Sequence, residues 1–481
     1  MTALPGDAEA ADLVNLSAND AVARMARGDL DVERYATALL ERCAAGRALG
    51  AFITLEPDRV LEEARACERA RRAGHRLGPL FGLPIPVKDS VNTRDYPTTA
   101  GTPALRHFRP AEDASVVKAL RAAGAIVLGK TNLHELSYGW TSNNLAFGAV
   151  RNPYDPSRIA GGSSGGTAAA IAARMAPLGV AADTEGSVRV PAALCGISGL
   201  RPTTGRYSTQ GCAPITPLFD QIGPHARTVA DLALFDSVLS NEWRPVQPTS
   251  LRGVRLGVVR GYWYRDLDPQ VERITSTALT RLQDAGAILV ESELPGLSRL
   301  TDIITEPVQN HDVPLALGRY LREYRAGVTF EQVVRQASPD IQDLFRRDVL
   351  AGARNFVSEA AYAEIISTHL PVLQHLCNDY FARSGVAALV FPVTMVPALP
   401  IGTQSDVAIR GRQVSFETAI ARNIAPGSTA GLPGLVLPAG LTSTGLPVAI
   451  ELDAPVGTDR ALMALGMSVA EVLGPLPPPP V

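Results

Sequence analysis

The stretch that decides the fold reads R-I-A-G-G-S-S-G-G-T at 158–167 and, further on, A-D-T-E-G-S-V-R-V-P-A at 182–192. It holds two serines in settings that a packed core does not require. Ser163 stands among Gly161, Gly162, Gly165 and Gly166, and Ser187 follows a Thr-Glu-Gly step. The 24 residues separating them are enough for a helix and a strand to carry the chain out and back, as α/β folds do. A third residue, Lys88, stands 75 residues before Ser163 in P-I-P-V-K-D, at the end of an apolar run. Partial desolvation there lowers a lysine's pKa and lets it act as a base.

Outward from this stretch, short apolar runs alternate with helical patterns from residue 80 onward, the signature of an α/β sheet. Candidate strands fall at 83–87, 125–128, 178–182, 254–259, 387–391, 434–437 and 448–452. V-V-K-A-L-R-A-A-G-A-I-V-L (116–128) and T-A-L-T-R-L-Q-D-A-G-A-I-L-V (277–290) share one helix-then-strand grammar, with glycine closing each helix. The stretch R-N-P-Y-D-P-S-R before the glycines reads as a proline-rich loop.

Residues 15–73 read as helices that brace the body. Ser17 with Asp20 starts one, Val32, Tyr35, Leu39 and Cys43 repeat at helical spacing in the next, and Pro57 opens a third along Val60, Leu61, Ala64 and Cys67. The catalytic core is expected over 80–240. Residues 300–385 look mostly helical, with I-T-E-P-V-Q-N-H-D-V-P expected to interrupt at 304–314, and 300–425 is expected to be an insertion that shapes a substrate pocket. Residues 474–481 read as an exposed proline-rich tail.

A formal net charge of −3 and a pI near 6.2 make no electrostatic case for nucleic acid or an acidic membrane surface. The five cysteines are odd in number and show no C-x-x-C pair, so neither a disulfide framework nor a zinc site is signalled, and reduced thiols in a cytoplasm are expected. The first residues, M-T-A-L-P-G-D-A-E-A-A-D, have neither a basic nor an apolar leader region, and no run of about 18 apolar residues follows.

Amide hydrolysis needs a nucleophile, a group that takes its proton and returns it to the leaving amine, and donors for the oxyanion. Ser187, Ser163 and Lys88 can fill the first two roles without a histidine, because a hydroxyl both donates and accepts. Backbone N–H groups of Thr184, Glu185, Gly186 and Ser187 can supply the third. Residues 161–165 also spell G-x-S-x-G, the elbow of an α/β-hydrolase, with His225 or His369 as partner, but that motif needs a strand directly before the serine. His134 and Glu135 do not complete H-E-x-x-H, since Tyr138 stands at the last position, so they read as structural. Tyr138 and Trp140 are candidates for an acyl pocket or for core packing. Asp183 and Arg189 read as supports of the loop. Alone, Lys88 beside Asp89 would be a surface ion pair; its occurrence with both serine motifs reverses that reading.

The order K-D, G-G-S-S-G-G, D-T-x-G-S-V-R-V-P-A resembles the amidase signature family. T-N-L-H-E-L-S-Y-G-W-T-S-N-N-L-A-F-G-A-V-R-N-P-Y-D-P-S-R (131–158), C-G-I-S-G-L-R-P-T-T-G-R-Y (195–207) and P-G-S-T-A-G-L-P-G-L-V-L-P-A-G (426–440) extend the match. The wording is most similar to the indoleacetamide and mandelamide hydrolase branch. The resemblance implies one α/β/α domain on a large mixed sheet over 1–473, with Lys88 as base, Ser163 as bridging serine in a cis peptide, and Ser187 as acylated nucleophile. It implies a cytoplasmic serine amidohydrolase, without cofactor or metal, acting on a small carboxamide of aryl or arylacetic type, and a homodimer at the family level. An esterase or carbamate hydrolase on the same machinery is the alternative, followed by the amidase-like component of an amidotransferase.

Glu185 departs from the family's usual small residue. Its backbone N–H survives, and a glutamate there argues for ordinary φ or for a strain that its surroundings support. An outward-facing side chain is expected, with a carboxylate aimed into the pocket as the other reading.

Overall fold

The apolar runs become strands of one eleven-stranded mixed sheet flanked by helices, an α/β fold. The computed structural model describes residues 12–403 and 405–480; most of the amino-terminal stretch read above for a leader, 1–11, lies outside the described residues. In chain order the strands are β1 (Phe52–Thr54), β2 (Pro84–Lys88), β3 (Ile126–Thr131), β4 (Leu178–Asp183), β5 (Ser198–Arg201), β6 (Gln221–Ala226), β7 (Arg255–Val258), β8 (Ile288–Glu291), β9 (Ala388–Pro392), β10 (Gly434–Leu441) and β11 (Pro447–Asp453). Across the sheet they stand β1-β3-β2-β4-β6-β5-β10-β11-β9-β7-β8. β2 runs parallel to β3 and β4, and β7 parallel to β8 and β9, while the remaining pairs are antiparallel.

The helices used below are α1 (Ala18–Arg27), α2 (Val32–Ala45), α3 (Pro57–Arg72), α4 (Ser115–Ala122), α5 (Gly165–Ala172), α6 (Arg189–Leu194), α7 (Pro269–Asp284), α8 (Leu297–Glu323), α9 (Pro339–Asp348) and α10 (Phe416–Ala421). Parallel neighbours need a crossover, which α4 supplies between β2 and β3 and α7 between β7 and β8. Ser17 caps α1 by accepting from the Asp20 N–H, and Val32, Tyr35, Leu39 and Cys43 of α2 are all buried. α3 opens at Pro57 and buries Val60 and Ala64.

Every expected strand falls on a strand of this sheet, although β10 runs on to Leu441. β8 answers to the strand half of the 277–290 unit, and β1, β5 and β6 fall outside the expected set. β6 is central yet carries Gly223, Pro224 and His225, a composition that argues against a central strand because proline cannot donate to the ladder. It is tolerated because β6 pairs with β4 along its length but with β5 only at His225 and Ala226, so no ladder bond is missing beside Pro224 on that side. The stretch before the glycines is also not a plain loop: Arg151–Asn152 and Asp155–Ile159 form a small antiparallel ribbon.

The expected interruption at 304–314 does not occur. α8 runs unbroken through Pro307 and Pro314. Each internal proline costs about 3 kcal/mol. Against this, Leu297, Leu300, Ile304 and Val308 enter one buried cluster with Trp263 and Phe391, and Val313, Leu317, Tyr320 and Leu321 enter another with Phe330 and Phe345. Roughly 1.5–3 kcal/mol for each buried side chain outweighs the two breaks. The proline-rich tail is not simply exposed either: Pro479 is buried, and the Pro477 carbonyl accepts from the Tyr154 hydroxyl at 2.9 Å.

Trp263 anchors the first of these clusters. It is 2% exposed, stacks on Phe391 with centroids 4.9 Å apart, and donates its indole N–H to the Asn423 carbonyl at 2.8 Å. Trp263→Ala is expected to cost roughly 3–5 kcal/mol, read as a lowered urea midpoint.

Candidate active site

β2 and β4 are adjacent and parallel, with Val87 opposite Val180, so their carboxyl ends leave the sheet side by side. Lys88 is the last residue of β2, and β4 ends at Asp183, from which the chain turns through Thr184, Glu185, Gly186 and Ser187 into α6. Ser163 precedes α5. The sheet thus brings together three residues that are far apart in the chain.

Lys88 is wholly buried and its Nζ donates to Ser163 Oγ at 2.6 Å. Burial is the largest influence on this lysine and lowers its pKa; Asp183 and Asp220 pull it back, and the balance lies at about 7. The Gly162–Ser163 peptide is cis. The Ser163 carbonyl accepts from the His134 N–H at 3.0 Å and from Ser142 Oγ at 3.1 Å, and the Ser164 N–H donates to the Ser187 carbonyl at 3.2 Å, tying the two serine loops together. The glycines are needed for close approach: a Cβ at Gly166 would stand 2.4 Å from the Asn132 carbonyl oxygen.

Two cavities meet at Ser187. A small floor of about 80 Å³ is lined by Lys88, Ser163, Ser187, Cys212 and Asp220 among others. A larger chamber of about 660 Å³ is lined by Tyr138, Trp140, Ile341, Leu344 and Phe416, together with a set of acidic groups. Ser137, Thr184, Ser187 and Ile215 line both. Tyr138 and Trp140 therefore face the chamber. The Tyr138 hydroxyl donates to Asn310 Oδ1 at 2.6 Å, and the Trp140 indole N–H donates to the Glu185 carbonyl at 2.9 Å.

Asp183 organises the turn. Its carboxylate accepts from the N–H groups of Gly186 (2.8 Å) and Val188 (3.0 Å), from Arg189 Nε (3.1 Å) and from Arg201 Nη1 (3.0 Å). Burial alone would raise its pKa, but Arg189 and Arg201 outweigh burial and hold it well below the usual carboxylate range. Removing one member of a buried ion network leaves the other charges uncompensated, so Asp183→Ala is expected to cost roughly 3–5 kcal/mol in denaturant unfolding.

The same contact corrects part of the oxyanion reading. The Gly186 N–H is committed to Asp183, whereas the N–H groups of Thr184, Glu185 and Ser187 meet no protein acceptor among the described residues. Gly186 has φ 91, and Glu185 is absent from the positive-φ residues, so the glutamate occupies ordinary backbone as expected. Its side chain, however, does not face outward. Glu185 is 7% exposed, lines the chamber, and its Oε2 accepts from Gln309 Nε2 of α8 at 2.6 Å. Burial first, and Glu306 second, push its pKa up to about 8.

Sequence reasoning missed Asp220. It sits in L-F-D-Q with no motif around it, yet its Oδ1 accepts from Thr184 Oγ1 at 2.5 Å and its Oδ2 from the Ile215 N–H at 2.9 Å. Burial raises its pKa to about 6. The histidines of the elbow reading do not reach the site. His225 is buried with Nε2 donating to the Val188 carbonyl at 2.7 Å, and neither it nor His369 lines a cavity holding Ser163. His134 bonds Thr141 Oγ1 through Nδ1, and Glu135 accepts from the Ser338 N–H, so both serve the framework.

The family model described as Amidase matches residues 34–463. The indoleacetamide hydrolase of Agrobacterium vitis is 37% identical over 451 residues, spanning 94% of this chain and 95% of that one. The mandelamide hydrolase of Pseudomonas putida is 35% identical, spanning 97% and 93%. A glutamyl-tRNA(Gln) amidotransferase component of Chloroflexus aurantiacus (strain ATCC 29366 / DSM 635 / J-10-fl) is 35% identical, spanning 95% and 96%. A solved amidase structure superposes with a TM-score of 0.85 at 29% identity, covering 95% of this chain and all of that one. The chain belongs to the amidase family and is an amidase.

Proposed function

We propose that this amidase hydrolyses a carboxamide of aryl or arylacetic type through an acyl-enzyme on Ser187. Ser187 Oγ attacks the carbonyl carbon while its proton passes to Ser163 Oγ, and the Ser163 proton passes to neutral Lys88. The oxyanion is held by N–H groups of Thr184, Glu185 and Ser187. Collapse breaks the C–N bond as the proton returns through Ser163 to the amine. Water then attacks the ester carbonyl by the same relay and releases the acid and the free Ser187.

The observation that carries this reading is the 2.6 Å bond from a wholly buried lysine to Ser163, at the floor of a cavity whose rim holds Ser187. A lysine balanced near 7 is neutral in a large fraction of molecules at neutral pH, as a base must be. The floor, about 80 Å³, has the volume of two or three waters at about 30 Å³ each, so it takes a small leaving amine and not a bulky one. That favours primary amides. The chamber is walled by Tyr138, Trp140 and Phe416, suited to an aromatic acyl group, and this chain's relatives include hydrolases named for indoleacetamide and mandelamide. Segment 300–425 contributes Glu306, Gln309, Asn310, Ile341 and Phe416 to that chamber, which supports its role in shaping the acyl pocket. All five cysteines are free, in keeping with a reducing cytoplasm, and no described helix is long and apolar enough to cross a membrane.

Phenylacetamide, the matching ethyl ester and the matching carbamate, offered to the purified chain, test the reading. The amide is expected to turn over with the chain alone. An amide rate far below both the ester and the carbamate rates would make the chain an esterase or urethanase. Transfer of ammonia only in the presence of a co-purifying partner would favour the amidotransferase reading.

A further inference from the structure

The chamber wall carries an excess of acid. Glu185, Glu306, Asp340, Asp343, Asp348 and Glu417 line it, against Arg347 as the one lysine or arginine among the described lining residues. Arg347 is already committed. Its Nε and Nη2 donate to the Asp348 carboxylate at 2.7–3.0 Å, and Asn355 Nδ2 adds a donor at 2.8 Å. Asp343 pairs with Arg346 at 3.0 Å. His134, the other basic group on the wall, is pushed down to about 4 by burial and is neutral.

Glu185, Glu306, Asp340 and Glu417 are left without an ion-pair partner among the described residues. Glu185 is the innermost, two residues before Ser187, and meets Gln309. Glu306 lies three residues before Gln309 on the same face of α8 and is open to the chamber. Asp340, at the first turn of α9, keeps a buried Oδ1 without a hydrogen-bond partner among the described residues. Burial and the neighbouring Glu306 hold Glu185 up at about 8, so without a cation it keeps its proton in most molecules at pH 7; a cation entering among these carboxyl groups relieves their repulsion and draws Glu185 into the ionised form. Tyr138, Trp140 and Phe416 also line the chamber and add aromatic groups of the kind that attract a cation.

The direction of the substrate follows from the relay. Ser163 must hand its proton to the departing amine and lines the small floor, so the amine leaves there and the acyl group fills the chamber. We propose that the chamber selects carboxamides whose acyl part carries a positively charged basic group, with Glu185 and Glu306 as the residues that recognise the charge; this rests on Ser187 being the acylated nucleophile.

Three phenylacetamides with para substituents of similar size test the proposal at pH 7 and low salt: ethyl (neutral), aminomethyl (cationic) and carboxylate (anionic). The expected order of kcat/KM is cationic, neutral, anionic, with the cationic amide favoured over the neutral one by about tenfold or more, chiefly through KM, and less at high salt. In Glu306→Gln, and separately in Glu185→Gln, the cationic-to-neutral ratio is expected to fall to within about threefold. A wild-type enzyme that hydrolyses the neutral amide as well as the cationic one overturns the selection while leaving the proposed function standing. A ratio that persists in both variants, when they melt like the wild type, overturns Glu185 and Glu306 as the residues that recognise the charge. Hydrolysis of none of the three, without acylation of Ser187, overturns both readings.

Discussion

Ser187→Ala is expected to lower amide turnover by about 10⁴-fold or more, the scale of loss when a nucleophile acting as one unit with its base is removed. The argument is geometric. Of the two serines on the rim shared by floor and chamber, Ser137 and Ser187, Ser187 is the one beside the unengaged N–H groups of Thr184 and Glu185, the place from which a hydroxyl can reach a carbonyl whose acyl group fills one cavity and whose amine departs into the other. Ser163 sits deeper, its Oγ taken by Lys88, and so relays. The hydroxyl of Ser187 makes no hydrogen bond to the protein among the described residues, so the variant is expected to melt within about 0.5 kcal/mol of the wild type, the usual range for a substitution outside such features. Initial rates and a urea melt on the same preparation separate lost chemistry from lost structure.

Lys88→Met carries the second largest effect. Activity is expected to fall by about 10³-fold or more, since general-base catalysis contributes roughly 10²–10⁴ and the nucleophile depends on it. In the wild type kcat/KM is expected to rise with pH as Lys88 loses its proton through about 7 and to level above it, and that inflection should vanish in Lys88→Met. The same group sets a stability trend of known sign. Its folded pKa lies below the ordinary 10.5, so between about 7 and 10.5 the unfolded chain binds more protons than the folded one, and wild-type stability rises with pH across that window. The cost of burying the lysine is fully present below about 7. Methionine has no such cost, so the variant is expected to be the more stable at pH 6, with the advantage shrinking towards pH 10.5. Melts at those two pH values check it.

Much of this site was legible in the sequence because its chemistry is carried by local patterns. The glycines around Ser163, the turn before Ser187 and the apolar run ending at Lys88 each announce a backbone constraint without any tertiary knowledge. The buried strands were legible for the same reason, as short apolar runs between helices. What escaped depends on distant partners. β6 spells Q-I-G-P-H-A and is a strand only because β4 supplies its ladder, and α8 survives two prolines only because two clusters bury its side chains. Asp220 is part of the floor because Thr184 and Ile215 come to it, and Glu185 turns inward because Gln309, 124 residues later, meets its carboxyl. No spacing in the chain encodes such encounters.

The division of labour between the two serines is the centre of the account, and mapping the acylated residue tests it most directly. The protein, treated with an activated ester or a fluorophosphonate probe, is digested and the labelled peptide sequenced by mass spectrometry. The label is expected on Ser187 in the wild type, and the Ser187→Ala protein is expected to remain unlabelled with Ser163 intact. A label on Ser163 in either protein would contradict the assignment of Ser187 as nucleophile and Ser163 as relay.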